Sequence, residues 1–319
     1  MTEPEKPSVQ FVEVDSESSG QRVDNYLFRI LKGVPRSHIY KLLRRGEVRL
    51  NGGRIKAHRK LVEGDRLRLP PIRISAADES GRPSDGFLKI IEKSIIYEDN
   101  RILILNKPAG IAVHGGSGVS VGVIEGLRAL RPTEKMLELV HRLDRETSGC
   151  LMIARRRSAL RTLQQALREK TGLVKQYQVI VHGAWPRRKK QVEAPLRKNT
   201  LKSGERISRV AKDGKPSLTT FEWQAGSDDY SILRASPITG RTHQIRVHCA
   251  ISGCPVVGDP KYGNASADEK ARGQGFTRMM LHAGRLVIPS LAPGEEPIEI
   301  EAEADQQFQD MVNAILIKQ

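Results

Sequence analysis

At 319 residues, 38% of them hydrophobic, the chain is long and apolar enough for one sizeable domain and a smaller one, which excludes a disordered polymer. No apolar run approaches the ~20 residues that cross a bilayer, the opening "MTEPEKPSVQ" lacks a signal-peptide layout, and Cys150, Cys249 and Cys254 show no Cys-x-x-Cys spacing. A cytoplasmic protein is therefore expected, with neither a disulfide framework nor a zinc cage, and its 53 Lys/Arg against 37 acids point to a polyanionic partner.

The charge is uneven. Residues 20–73 hold 15 Lys/Arg and 4 Asp/Glu, an excess of +11 out of the total of +16. That concentration suggests a basic binding module attached to a less charged body. An acidic, polar leader (residues 1–19) precedes "GQRVDNYLFRILKGVPRSHIYKLLRRGEVRLNGGRIKAHRKLVEGDRLRLP". There Val23, Leu27, Ile30 and Leu31 recur at helical spacing, as do Ile39, Leu42 and Leu43, and Gly46 is placed to end the second helix. "VRLNGGRI" reads as two strands about a tight Asn51-Gly52 turn. Arg36, Lys41, Arg44 and Arg45 fall away from the apolar stripe of the second helix. A solvated face is one reading; four cations with no interleaved acid favour a phosphate-contacting one.

The polar stretch "SAADESGRPSDGF" (75–87) reads as a linker between a first domain (20–74) and a second (88–319). In the second, "RILILNKPAG" is a strand ending in a turn, "VSVGVIEGLRAL" a helix and "CLMIA" a buried strand. "SALRTLQQALREK" has Leu160, Leu163 and Leu167 on one face and a Ser to cap it. "KQYQVIVHG", "SLTTFEWQA", "YSILRASPI" and "RLVIP" add strands, and "NASADEKARGQGF" (264–276) reads as a long surface loop. The class expected is α+β, a mixed, mainly antiparallel sheet with helices packed beside it.

Hydrolytic and phosphate-loop chemistries find no support, because "HGGSGVSVG" is neither a nucleophile elbow nor a Gly-Lys-Ser/Thr loop. His243 and His248, five apart on an expected helix, would be turned about 140° from each other, which disfavours a metal site. What stands out is "ELVHRLDRETSGCLMIA" (138–154), where Asp144 lies between two arginines at the mouth of a strand. "TSG" after it looks like a tight turn holding the carboxylate at the strand end. On residue types alone, Asp144 is a structural cap or ion-pair partner as readily as a reacting group.

"HRLDRETSG", with "NKPAG" (106–110), "KQY" (175–177), "GRTHQIRVH" (240–248) and "GDPKYG" (258–263) in that order, resembles the RluA/RluC family of ribosomal large-subunit pseudouridine synthases. The basic segment "GQRVDNYL", "PRSHIYKLLRRGEVRLNG" and "EGDRLRL" resembles an S4 RNA-binding domain. The resemblance implies a pseudouridine synthase fold and isomerisation of uridine in RNA, most simply 23S ribosomal RNA, with no metal or cofactor; a monomer is the default expectation. Transfer RNA as substrate and a non-catalytic RNA-binding or ribosome-assembly factor are the alternatives. It further implies that Asp144 is the catalytic carboxylate, as nucleophile or as base, that Arg241 pairs with it, and that Tyr177 stacks on a flipped-out base. Arg142 would fill the vacated space or contact a phosphate, and Lys107 and Leu281 would line the pocket, with core packing the competing role for Leu281.

Overall fold

The computed structural model describes residues 8–31, 34–72, 83–115, 121–200 and 206–317. The chain divides into two compact units, Met1–Arg82 and Pro83–Gln319.

The first unit opens with β1 (Gln10–Glu13), inside the stretch expected to be a leader. Val12 and Val14 face its core while Phe11 and Glu13 face solvent, the period-two pattern of a half-buried strand. Two helices follow, α1 (Val23–Ile30) and α2 (Arg36–Arg45), burying Val23, Leu27, Ile39, Leu42 and Leu43 against each other. Gly46 ends α2 in the left-handed conformation at φ 71°, as its position predicts. The hairpin of β2 (Arg49–Leu50) and β3 (Gly53–Arg54) turns through Asn51 and Gly52, both at positive φ, the backbone that suits a two-residue hairpin. With β4 (Arg66–Leu69) these strands form a sheet in the order β1-β4-β2-β3.

The second unit begins with α3 (Asp85–Lys93), which starts within the stretch read as a linker. Ser84 caps it by accepting the Phe87 N–H at 3.3 Å, and Ile91 is buried; residues 75–82 of that stretch lie outside the described residues. There follow β5 (Ile95–Glu98), β6 (Ile102–Lys107), α4 (Val123–Leu130), β7 (Glu138–Leu139), β8 (Ser148–Ala154), α5 (Arg157–Glu169) and β9 (Val174–His182). Next come β10 (Gln191–Glu193), β11 (Leu196–Thr200), β12 (Arg206–Val210), β13 (Leu218–Gly226), β14 (Tyr230–Pro237) and α6 (Gln244–Ile251). The chain closes with α7 (Ala265–Gly273), β15 (Leu281–Ile288), β16 (Ile298–Glu301) and α8 (Gln306–Leu316).

A ten-stranded sheet runs β10-β13-β14-β9-β15-β8-β6-β5, with β16 on β15 and β7 on β8. Its pairings are antiparallel except β8 with β15. Both faces are covered, and the alternation of side chains shows it. Leu103, Leu105, Leu151 and Ile153 join Tyr177, Val179 and α4 in one core, while Ile102, Ile104, Met152 and Ala154 pack on α5. A mixed, mainly antiparallel α+β fold is what the strand pattern predicts.

Two local expectations need correction. The segment 264–276 is not a loop: Asn264 accepts the Ala267 N–H at 3.1 Å to start α7, whose buried residues are Asp268 and Ala271. A helix held by a buried carboxylate, bonded to His182 Nε2 at 2.8 Å and the Gly258 N–H at 2.7 Å, has no apolar stripe to read. In α5 the N-cap is Arg156, with no side-chain cap, and Ser158 lies within the first turn.

Candidate active site

Asp144 sits in the connection between β7 and β8. Its carbonyl accepts the Thr147 N–H at 3.2 Å, so the tight turn spans Asp144 to Thr147, and the Ser148 and Gly149 of the expected turn already belong to β8. Gly149 has φ 105°, and a Cβ there would lie 2.3 Å from the Ala283 carbonyl oxygen of β15. Only glycine permits this approach, which sets the start of β8 directly against β15.

The "NKPAG" turn clasps the Asp144 loop from the other side. Gly110 N–H donates to Arg145 O and Arg145 Nε donates to Gly110 O, both at 2.9 Å. Beneath them the fully buried Lys107 donates to the carbonyls of Pro108, Ile111 and Arg145 at 2.7, 2.9 and 3.0 Å. Burial pushes its pKa down to about 7, against the charges of Glu146 and Asp144, which favour the charged form, and the three carbonyls supply one acceptor for each ammonium N–H. Lys107 was expected to line the pocket; it is instead a strut under the loop, absent from the cleft wall.

The opposite wall comes from the turn before α6 and the helix itself. Arg246, on its first turn, donates from Nη1 to Asp144 Oδ2 at 3.0 Å and grips Asp259 through Nε (2.8 Å) and Nη2 (2.6 Å). The Arg246–Asp259 pair is buried, each residue 2% exposed, while Asp144 is half-buried at the cleft. Burial disfavours the guanidinium charge, but the bidentate bond to Asp259 and the charges of Asp259 and Asp144 outweigh it and raise the pKa of Arg246. Arg241, expected to hold Asp144, does not form that pair. It precedes α6, its Nε donates to Pro216 O at 3.1 Å, and it forms part of the cleft wall. The signal that could have found Arg246 was present: a lone cation in "QIRVHCAI", a helix otherwise apolar or neutral, is buried and so demands a carboxylate.

Between these walls lies a cleft of about 680 Å³ counting its mouth, lined by Arg142, Asp144, Lys175, Tyr177, His243, Arg246 and Leu281 among others. Of the residues singled out in the sequence, Asp144, Tyr177, Arg142, Leu281 and Arg241 share this one cleft. Tyr177 is 9% exposed on β9, and burial raises the pKa of its hydroxyl, so it presents a neutral ring. Lys175, two residues before it on the same face, has its pKa lowered by burial. Arg142 is exposed at the rim and Leu281 buried at the floor. Arg246 occupies one Asp144 oxygen, Oδ2, while Oδ1 faces His243 Nε2 at 3.8 Å. The arrangement presents a carboxylate beside a flat aromatic ring in a sheltered slot, suited to acid-base or nucleophilic work on a planar, nucleoside-sized group. Among the described residues no three His, Cys, Asp or Glu side chains are placed to hold a metal ion.

The cleft continues. Gly240, Arg241 and Thr242 are shared with a second cavity of about 870 Å³ counting its mouth, walled by β11 and β12 and lined by Arg197, Lys198 and Lys215 with Asp213. In the first unit, the four cations singled out on α2, Arg36, Lys41, Arg44 and Arg45, are all exposed.

Residues 101–251 match the RNA pseudouridylate synthase family and residues 21–67 the S4 domain family. The chain is 48% identical over 317 residues to the ribosomal large subunit pseudouridine synthase C of Salmonella typhi, covering 98% of this chain and 99% of that protein. It is 50% identical over 305 residues to the Escherichia coli K12 protein of the same name, covering 95% of each. Among solved structures, human RNA pseudouridylate synthase domain containing 1 superposes with a TM-score of 0.54 at 26% identity, covering 73% of this chain and 96% of that one. Human RNA pseudouridylate synthase domain containing 4, with a TM-score of 0.58 at 23% identity over 71% of this chain and 94% of that one, shares the fold.

Proposed function

From a chain that belongs to the RNA pseudouridylate synthase family, we propose an enzyme that converts specific uridines of 23S ribosomal RNA to pseudouridine, with Asp144 as the reacting carboxylate. In that isomerisation the N1–C1′ glycosidic bond breaks, the uracil turns in its slot, C5 bonds to C1′, and the proton lost from C5 is balanced by one gained at N1. Asp144 acts through Oδ1, the oxygen that Arg246 leaves open, either on a ribose carbon or on the 2′ proton. Arg246 takes the pairing role expected of Arg241. Tyr177 stacks on the base, which must be flipped out of any helix to enter, and Arg142 at the rim contacts the strand it left.

The single observation that carries the reading is the juxtaposition of Asp144, Arg246 and Tyr177 in one sheltered cleft. The neighbouring cavity with Arg197, Lys198, Lys215 and Arg241 favours a polymer over a free nucleoside, because its cations suit phosphodiesters flanking the target. The exposed cations of α2 supply a further phosphate-contacting face. The substrate class follows the large-subunit relatives, and we propose that the protein works as a monomer in the cytoplasm, where that RNA is assembled.

The test is a map of pseudouridines, read as carbodiimide-dependent reverse-transcription stops in ribosomal and transfer RNA. It compares cells with the gene, without it, and with Asp144→Asn. Stops in 23S RNA that vanish in both defective strains are expected. Loss confined to transfer RNA would move the substrate, and stops that survive in the Asp144→Asn strain would remove Asp144 from the chemistry.

A further inference from the structure

We propose that His243, locked in place by Tyr262, is a positioning residue that directs the open oxygen of Asp144. The proposal rests on the pseudouridine synthase reading of the cleft. His243 has φ 53° and ψ 24°, left-handed backbone that a residue other than glycine adopts only at a conformational cost. It is the residue before α6, yet its side chain caps nothing. Helix initiation therefore does not explain the strain; the orientation of the ring does.

Three contacts set that orientation. Tyr262 Oη lies 2.8 Å from His243 Nδ1, and the two rings meet edge to face with centroids 5.6 Å apart. Tyr262 Oη also accepts the Ser208 N–H of β12 at 2.7 Å. The phenol has one proton to donate, and Nδ1 is the acceptor in reach, so the hydrogen bond to Nδ1 puts the imidazole proton on Nε2. Nε2 is the atom 3.8 Å from Asp144 Oδ1. An N–H facing a carboxylate is favourable and a lone pair there is not, so the tautomer satisfies both ends. At 3.8 Å the interaction is electrostatic, and a small swing of the carboxylate toward the nucleotide is what Nε2–H resists or guides.

The ring must stay neutral for Nδ1 to accept. Burial pushes the His243 pKa down to about 4. Around it, Asp144 and Asp259 favour the charged form while Arg246 and Lys261 oppose it, and Tyr262 occupies Nδ1. Removing the Tyr262 hydroxyl frees Nδ1 to take a proton, so the imidazolium becomes accessible at higher pH.

The experiment measures kcat and KM against pH with a 23S RNA transcript carrying tritium at uridine C5, which is released as the product forms. Tyr262→Phe keeps the ring and its packing. It is expected to lower kcat about tenfold with KM within twofold, and to move the acid limb of kcat up by about one pH unit. His243→Asn suits the left-handed backbone and places a polar group near Nδ1 but nothing at Nε2, so it is expected to lose kcat by a similar factor with its melting temperature kept. Unchanged kcat in His243→Asn, or a Tyr262→Phe loss that is equal at every pH, would overturn the positioning role. A wild-type protein that releases no tritium would instead sink the pseudouridine synthase reading itself, so the two failures are distinct.

Discussion

Arg246 and Arg241 differ by five positions in one motif, and their surroundings separate them. Arg246→Ala would strand Asp259, whose side chain is fully buried, beside Asp144 with the countercharge gone. A loss of about 3–5 kcal/mol in urea denaturation is expected, the usual cost of leaving one partner of a buried pair. Arg241→Ala removes a half-buried side chain whose recorded bond is to a backbone carbonyl, and stability is expected to change by under about 1 kcal/mol. Equal losses in the two variants would contradict the pairing seen here. At this scale the motif was legible but the partner was not, because spacing along a chain does not say which arginine a turn will point at a carboxylate 102 residues away.

Two glycines beside the site bear different constraints. Gly149, at the β8–β15 junction, combines positive φ with a backbone oxygen where its Cβ would go. Gly110 in the "NKPAG" turn has φ 81° but open space around it. Gly110→Ala is therefore expected to cost about 1 kcal/mol from backbone conformation alone. Gly149→Ala should cost at least twice that, since β8 and β15 must separate, and should lower kcat by shifting the Asp144 loop. Melting temperatures of the two variants check the order, and a reversed order would mean the close approach is not as described. Elements with a strong period, such as α4, α5 and the β2–β3 hairpin, were readable in advance. Helix α7 was not, since hydrogen bonds to a buried carboxylate leave no periodic trace, and β1 was hidden in a polar leader because only Val12 of its four side chains packs on the core.

At the scale of the whole chain, buried imidazoles and net charge set the response to solution conditions. Burial lowers the pKa of His243 and His248 to about 4 and of His141 to about 3. Each is unprotonated in the fold and binds a proton in the unfolded chain below about pH 6.5. Their contribution is thus complete above pH 6.5 and lost as pH falls toward 4, of order 3 kcal/mol for each. The urea midpoint is expected to drop steadily from pH 7 to pH 4.5, ahead of any carboxylate titration; a flat profile would refute it. The net charge of +16 predicts RNA binding that weakens steeply with salt. Replacing Arg36, Lys41, Arg44 and Arg45 by Ala should reduce the slope of log affinity against log salt by up to about 0.9 for each phosphate contact removed. An unchanged slope in filter binding would return α2 to the reading of a merely solvated helix face.

The sequence by itself determined the basic character of the first unit, the α+β class, the family motifs and Asp144 as the residue to ask about. Those properties are local or additive, carried by charge, by hydrophobic period and by turn chemistry. Only the tertiary structure decided that Arg246 grips Asp144, that Lys107 braces the loop from below and that His243 is turned on Tyr262. Each depends on polar groups that the fold brings together, across 102 residues for Arg246 and Asp144, 38 for Lys107 and Arg145, and 19 for His243 and Tyr262. Such pairs form where desolvation leaves a charge no other partner, and that is a property of the packed molecule.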